Sequence, residues 1–379
     1  MDRVKEEYTE GNKKKKGSNA KWGIAFIVEL VIITIMSVFI AKNYIHDQYG
    51  KLKVKDINRD DLGINDGVNI EGYTNIALFG MDSRDGSLDE GNRSDSIMIA
   101  SINNETKDVK IVSVYRDTFT ELQNDDKYSI KVNAAYAYGG PEMAVKTLNA
   151  NLDLNITEYI SINWEGLIRA IDRLGGVNIH IEEDEIEYTN DYIKDIMENT
   201  GIASDGVYNS GDQILNGVQA TAYCRIRYTG QGDITRTERQ REVITEMIKK
   251  LKKSDISTIN DIIDEVFPYV STSITEKEMY SLAKSLLSYE LKDSTGYPFR
   301  YQFYDSDELG SCIAAEDLAE NNAALHRYLF GNDNYVPSEN LKRINESLSS
   351  INGVYGTGEK ILLHGEEGQS ESGSEDSGE

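Results

Sequence analysis

The segment Trp22–Ala41, WGIAFIVELVIITIMSVFIA, is almost unbroken apolar sequence. A helix of about 20 such residues crosses a hydrocarbon core of roughly 30 Å, so the stretch reads as one membrane-spanning helix. Glu29 is its only charged group, and a carboxyl group in hydrocarbon must be protonated or paired. Arg3, Lys5, Lys13–Lys16 and Lys21 precede the span. That bias puts residues 1–21 in the cytoplasm and the rest of the chain outside, tethered to the cell membrane by a single pass. A cleaved signal peptide is the rival reading, supported by the small residues Ser37 and Ala41. The run is longer than a usual signal core, and no A-x-A-like site follows it.

This placement bears on function. A formal charge of −25 opposes the broad positive footprint that nucleic acid needs, and an outer domain has no access to ATP. Two cysteines, Cys224 and Cys312, are too few for a disulfide scaffold. A Cys224–Cys312 bridge and two inert thiols both fit an exterior chain.

Residues 42–72 are polar and read as a stalk. From Tyr73 the texture changes: 75–81, 96–103 and 109–115 are apolar strand-like runs joined by turns. Gly140-Pro141 marks a helix start. A strand at 159–163, a helix at 164–174 stopped by Gly175-Gly176, and a strand at 177–181 follow. The alternation predicts an α/β fold with a central, mainly antiparallel or mixed sheet flanked by helices. Residues 182–211 read as an inserted loop or short helices. Val243, Ile244, Met247, Ile248 and Leu251 form one apolar helical stripe, ending among Lys249, Lys250, Lys252 and Lys253. The expected domain is 73–253. Residues 254–364 follow as a helical extension packed on or beside it, with a strand at 298–304 and a helix at 316–331. The tail 365–379 is acidic and of low complexity, the composition of a disordered segment.

Charged groups concentrate where the apolar strands end. FGMDSRDG carries Asp82, Arg84 and Asp85, NRSDS carries Arg93 and Asp95, and YRDT carries Arg116 and Asp117. Hairpin geometry would bring Asp82, Arg93, Asp95 and Arg116 to one sheet edge. Hard carboxylate oxygens suit Mg²⁺, and the guanidinium fork suits phosphate. The fourth concentration, YCRIRYTGQGDITRTERQRE (Tyr223–Glu242), holds five arginines. Arg225 and Arg227 would share one side of an extended segment. Arg236 and Gln240 would share a helix face, with Asp233 at an N-cap-like place. Arg239 and Arg241 are expected to face solvent or acidic neighbours. Surface ion pairs account for any one of these clusters, but not for all four at strand ends. Nucleophile-elbow, P-loop and zinc-protease motifs are absent, and the four histidines are far apart in sequence. The tyrosine-rich AYAYGG (Ala135–Gly140) reads as structural.

The tracts NIALFGMDSR, NRSDSIMIASIN, VSVYRDT, KVNAAYAYGGPEMAVKTLN, INWEGLIRAIDRLGGV and LNGVQATAYCRIRYTGQGDITRTERQREV together resemble the LytR-CpsA-Psr family, in order and over roughly Tyr73–Leu251. The resemblance implies an extracellular phosphotransferase of Gram-positive-type envelopes. It would move a glycopolymer, such as teichoic acid or capsule, from a polyprenyl diphosphate to the C6 hydroxyl of N-acetylmuramic acid in peptidoglycan, as a phosphodiester. A hydrophobic tunnel for the polyprenyl tail is implied too. Matched residue by residue, Asp82 and Asp95 fall on the aspartates associated with Mg²⁺ (or Mn²⁺). Arg93, Arg116, Arg225, Arg227, Arg236 and Gln240 fall around the diphosphate. Arg84 and Lys131 are added to that set, and Asp233 is the acidic residue beside it. Asp82, Asp95, Arg116 and Asp233 are the expected catalytic groups. One departure is Tyr115, where a proline is common, which puts the backbone at Arg116 in question. Two rivals keep the same site: a polyprenyl-diphosphate hydrolase, and a non-catalytic envelope protein that binds such polymers or regulates the surface.

Overall fold

The computed structural model describes residues 43–81, 88 and 91–363. The expected membrane span, the basic N-terminus and the acidic tail lie outside the described residues. Residues 43–49 are helical and belong to a first unit, Met1–Tyr49; the second unit is Gly50–Glu379.

The second unit holds thirteen strands and nine α-helices among its described residues. In chain order the strands are β1 (Lys53–Val54), β2 (Tyr73–Met81), β3 (Ser94–Asn103), β4 (Asp108–Val114), β5 (Phe119–Glu121), β6 (Ser129–Lys131), β7 (Glu158–Asn163), β8 (Val177–Ile181), β9 (Gly211–Leu215), β10 (Val270–Thr272), β11 (Glu290–Tyr297), β12 (Tyr301–Ser306) and β13 (Gly310–Ala315). The helices are α1 (Ala134–Leu152), α2 (Trp164–Arg173), α3 (Glu185–Thr200), α4 (Gly217–Tyr223), α5 (Asp233–Leu251), α6 (Ile256–Val266), α7 (Glu276–Lys284), α8 (Leu318–Phe330) and α9 (Glu339–Asn352).

Strand alternation builds the architecture. The seven-stranded sheet runs β1-β10-β7-β2-β3-β4-β11, antiparallel across β2–β3–β4 and parallel at β2–β7 and β4–β11. The expected mixed sheet flanked by helices is what forms. Side chains two apart share a face. Ala77, Phe79 and Met81 with Ile97 and Ile99 therefore pack under Val145, Leu148 and Leu152 of α1, together with Leu325 and Leu329 of α8. The opposite face carries Leu78, Met98, Ile160 and Ile162, and α2 and α5 cross it.

Four expectations are corrected. Residues 50–72 of the expected 42–72 stalk are not free: β1 pairs with β10, and Ile57, Leu62 and Asn65 are buried. Residues 254–364 are not a helical extension beside a finished domain, since β10 and β11 are members of the central sheet. Residues 182–211 include the sixteen-residue helix α3. The helix expected from Pro141 begins seven residues earlier, at Ala134, and kinks at Gly139–Gly140, where φ/ψ leave the helical region.

The C-terminal third is stitched down by a buried carboxylate. Asp153 ends α1 at φ 49 and is fully buried. It accepts hydrogen bonds from Asn65 Nδ2, Tyr335 Oη, and the backbone N and Oγ of Ser338. Beside it His326, 2% exposed, stacks on Tyr335 with ring centroids 3.9 Å apart. Burial pushes the His326 imidazole down to about 4, only partly offset by the Leu152 carbonyl and the Asp153 charge. The unfolded chain takes up this proton near 6.5 and the folded chain only near 4. The neutral imidazole's contribution is therefore complete above pH 6.5 and is lost as pH falls toward 4, by up to about 3 kcal/mol. Urea midpoints measured from pH 7 to 4.5 should fall less steeply for His326→Gln than for the parent; parallel profiles would refute the assignment.

Candidate functional site: a charged pocket joined to an apolar cavity

A β-bulge delivers the central carboxylate. Gly80 pairs with Ser96 and Met81 with Ser94, so Asp95 is the extra residue on β3. A bulge of this kind bends the strand and redirects the side chain. The strands approach closely there: a Cβ on Gly80 would lie 2.9 Å from the Ser96 Cβ. Asp82 and Arg84, expected beside Asp95, lie outside the described residues.

Three arginines converge on Asp95. Arg116, just beyond β4, donates from Nη1 to Asp95 Oδ1 at 2.8 Å. Arg227 Nη2 donates to Oδ2 at 3.3 Å, and Arg236 Nη2 to the Asp95 carbonyl at 2.6 Å. Burial, the largest influence, raises the Asp95 pKa, but the charges of Arg116, Arg236 and Arg227 outweigh it and hold the carboxyl below the usual range. Arg236 is 1% exposed. Burial pushes its guanidinium down to about 10 against the opposing pull of Asp233, so it remains a cation at neutral pH.

Asp233 is the first residue of α5, with Gly232 as the N-cap, and makes no capping bond. It serves the arginines instead: Oδ1 lies 3.0 Å from both Arg116 Nε and Arg236 Nη2, outside hydrogen-bond geometry. Its buried Oδ2 has no hydrogen-bond partner among the described residues. Lys131 on β6 pairs with Asp117 at 3.1 Å. Arg93 is exposed on the rim of the same pocket.

Arg93, Asp95, Arg116, Asp117, Lys131, Asn133 and Arg227 line a polar pocket of about 480 Å³. Behind it, against the sheet, lies an apolar cavity of about 370 Å³. Its walls are Leu78, Met98, Ile160 and Ile162 of the sheet, Trp164, Leu167 and Ala170 of α2, and Val243, Ile244, Met247, Ile248 and Leu251 of α5. Asp95 and Arg227 line both spaces. One continuous site thus has an electropositive head and an apolar body.

The pair Arg225 and Arg227 divides differently from the expectation. Residues 224–227 form a turn after α4 rather than a strand, so Arg225 and Arg227 diverge. Arg227 reaches Asp95. The Arg225 guanidinium lies over the Trp164 ring at 3.8 Å and the Tyr192 ring at 4.8 Å, and pairs with Asp195 at 2.6 Å. It lines the apolar cavity but not the polar pocket. Gln240 also lines the cavity, donating to the Cys224 carbonyl at 3.4 Å. Of solvent and an acidic neighbour, Arg239 takes the second: it is 4% exposed and paired with buried Glu185 of α3. Cys224 and Cys312 are both free and buried, so no bridge joins them. Burial pushes the Cys224 thiol up to about 12, leaving it unreactive.

Tyr115 does not displace Arg116. Its backbone N–H donates to the Tyr297 carbonyl at 3.0 Å, a bond that proline could not make. Its ring occupies the space beside Gly296, where a Cβ would lie 2.3 Å from the tyrosine Oη. Asp117, noted in YRDT at a strand end but given no role, and Asn133, inside KVNAAY, are pocket residues that the expected site did not include.

The donor chemistry suits a hard cation sparingly. No group of three or more His, Cys, Asp or Glu side chains gathers among the described residues. Asp95 presents carboxylate oxygens at the pocket, and Asp233 Oδ2 is buried without a donor. A cation held by one or two carboxylates and completed by phosphate and water fits Mg²⁺.

Comparison with known proteins follows the same line. A model of the LytR_cpsA_psr family matches residues 32–299. Biofilm regulatory protein A of Streptococcus mutans is 33% identical over 300 residues, covering 69% of this chain and 70% of that protein. A polyisoprenyl-teichoic acid–peptidoglycan teichoic acid transferase, TagU, of Bacillus cereus is 33% identical over 233 residues, 61% of this chain and 70% of that one. The crystal structure of a Streptococcus agalactiae protein superposes with TM-score 0.59 at 27% identity, covering 70% of this chain and 90% of that one.

Proposed function

Because the chain belongs to the LytR-CpsA-Psr family, we propose that its site transfers a glycopolymer from a polyprenyl diphosphate carrier to peptidoglycan, forming a phosphodiester. The observation that carries this reading is the sharing of Asp95 and Arg227 by the charged pocket and the apolar cavity. An amphiphile with a doubly phosphorylated head and a hydrocarbon tail matches that juxtaposition, and so does the TagU relative, whose name gives a polyisoprenyl-linked teichoic acid as donor.

In this mechanism the tail fills the space between the sheet and α5. The diphosphate sits against Arg93, Arg116, Lys131 and Arg227, which outnumber the pocket carboxylates Asp95 and Asp117. The acceptor hydroxyl attacks the phosphorus that carries the sugar. The bridging P–O bond breaks, polyprenyl phosphate leaves, and the hydroxyl proton passes to a site carboxylate. Arg116 and Arg227 take up the charge that builds on the leaving phosphate, the position where prearranged cations are worth most. Asp233 and Asp95 hold these guanidinium groups in place before substrate arrives. Mg²⁺, held by Asp95 together with Asp82, would supply further neutralisation of the phosphate oxygens. Arg225, stacked on Trp164, is assigned to the cavity wall and not to the phosphates. The proposed setting is the outer face of the cell membrane.

The test is incubation of the full chain with a polyprenyl-diphosphate-linked glycopolymer, with and without peptidoglycan. Polyprenyl phosphate release should require the acceptor, leave the polymer on the wall, and stop with EDTA. Equal phosphate release without acceptor would replace transfer by hydrolysis.

A further inference from the structure

The apolar cavity has a second end. A smaller cavity of about 140 Å³ is lined by Val109, Ile248, Leu251, Lys252, Ile259, Leu286, Tyr289 and Leu291. Ile248 and Leu251 border both cavities. Helix α5 connects the two ends, from Arg236 beside Asp95 to Leu251, a distance of about 22 Å at 1.5 Å per residue.

The surface around this second end gathers lysines, while the acidic Asp108 and Glu290 beside its lining residues are both paired with Lys292. Lys249, Lys250, Lys252 and Lys253 fall within five residues, and exposed Lys284 ends α7 two residues before Leu286. Lys249 pairs with Glu246, and Lys250 donates to the Gly175 carbonyl. The acidic Asp255 among them is engaged in capping α6. Apolar side chains stand exposed beside the lysines: Ile256 is 77% exposed and Leu286 38%. Ile256, Ile259 and Ile262 recur every three residues along α6, from open surface, to the small cavity, to the large one. Within this unit Lys51 pairs with Asp264 of α6. Favourable interaction with a helix C-terminus explains lysines in the last turn. It does not explain Lys253, which lies beyond the last turn of α5, or an isoleucine row leading inward from solvent.

We propose that this end of α5 is a membrane-docking mouth. Lys249, Lys252, Lys253 and Lys284 meet anionic headgroups, while Ile256 and Leu286 enter the headgroup–acyl boundary, the arrangement that holds a basic amphipathic surface on a bilayer. With the diphosphate at Arg116, the far end of the carrier's tail then runs out of the cavity past Ile259 and Tyr289 into the bilayer, without crossing water. This last step rests on the polyprenyl reading above; the docking surface does not.

The test uses the full chain reconstituted into vesicles of phosphatidylglycerol or of phosphatidylcholine. An environment-sensitive fluorophore is attached in turn to Ile256→Cys, Leu286→Cys and, on a separate face, Val336→Cys; the native cysteines are buried. Quenching by spin-labelled lipid should be strong at 256 and 286 on phosphatidylglycerol, and weak at 336. Reversing three charges (Lys249→Glu, Lys253→Glu, Lys284→Glu) should lower the docking equilibrium about 10²-fold, the combined effect of three lysines near an anionic surface. Labels at 256 and 286 quenched no more than at 336 overturn the proposal. Because quenching needs no turnover, absent transfer with intact quenching would count against the substrate reading alone.

Discussion

Arg116→Ala is expected to lower transfer by about 10²–10³-fold, the usual cost of removing one prearranged donor to developing charge. The side chain stands at the centre of the charged network, bonded to Asp95 and within ion-pair distance of Asp117 and Asp233. Its loss removes a cation from the pocket and leaves those carboxylates with fewer partners. Breaking such a pair in a half-buried setting also costs stability, so the alanine variant needs a companion. Arg116→Lys keeps the charge but not the planar fork that reaches Asp95 and Asp233 together, and should retain the fold with intermediate activity. Transfer rates read beside thermal melts separate the two effects. Parental activity in a folded Arg116→Ala protein would remove this residue from the mechanism.

Ala170→Trp is expected to discriminate between substrates by tail length. Ala170 lies on the face of α2 that lines the apolar cavity, opposite α5. An indole there projects into space that a polyprenyl tail would occupy, and the existing void spares the fold most of the strain that added bulk causes in a filled core. The kcat/KM for a long-chain polyprenyl diphosphate donor should fall by about 10²-fold, roughly 2.7 kcal/mol. A donor with two isoprene units, whose tail ends before the obstruction, should change by less than about threefold. An equal fall for both donors would place the cavity outside the binding path.

The strands that carry the site were legible because local rules suffice for them. Apolar alternation closed by short turns marks β2, β3 and β4 without tertiary information, and Asp95 and Arg116 lie at or just beyond their ends. The outer strands β10 and β11 were not legible. The polar ELKDSTGY of β11 becomes a strand by pairing with β4, and the three residues of β10 by pairing with β7. Nor could spacing show that Arg239 finds Glu185, a partner 54 positions earlier, or that a bulge re-aims Asp95. The cavity was half visible. The stripe from Val243 to Leu251 reads as an apolar face, but whether such a face packs flush or leaves a hollow depends on what stands opposite it.

The sheet order also sets a timetable for synthesis. The inner block β7-β2-β3-β4 comes from residues 73–163, yet its two flanks wait for β10 at 270–272 and β11 at 290–297. Until those segments arrive, β7 and β4 present unpaired edges able to recruit other chains. The β4–β11 pairing, parallel and far apart in sequence, belongs to the slow class of folding events. A nascent chain therefore has its future catalytic sheet open on both sides from residue 163 to residue 272, and on the β4 side until residue 297. Premature termination in that interval would yield an adhesive fragment, not a smaller enzyme.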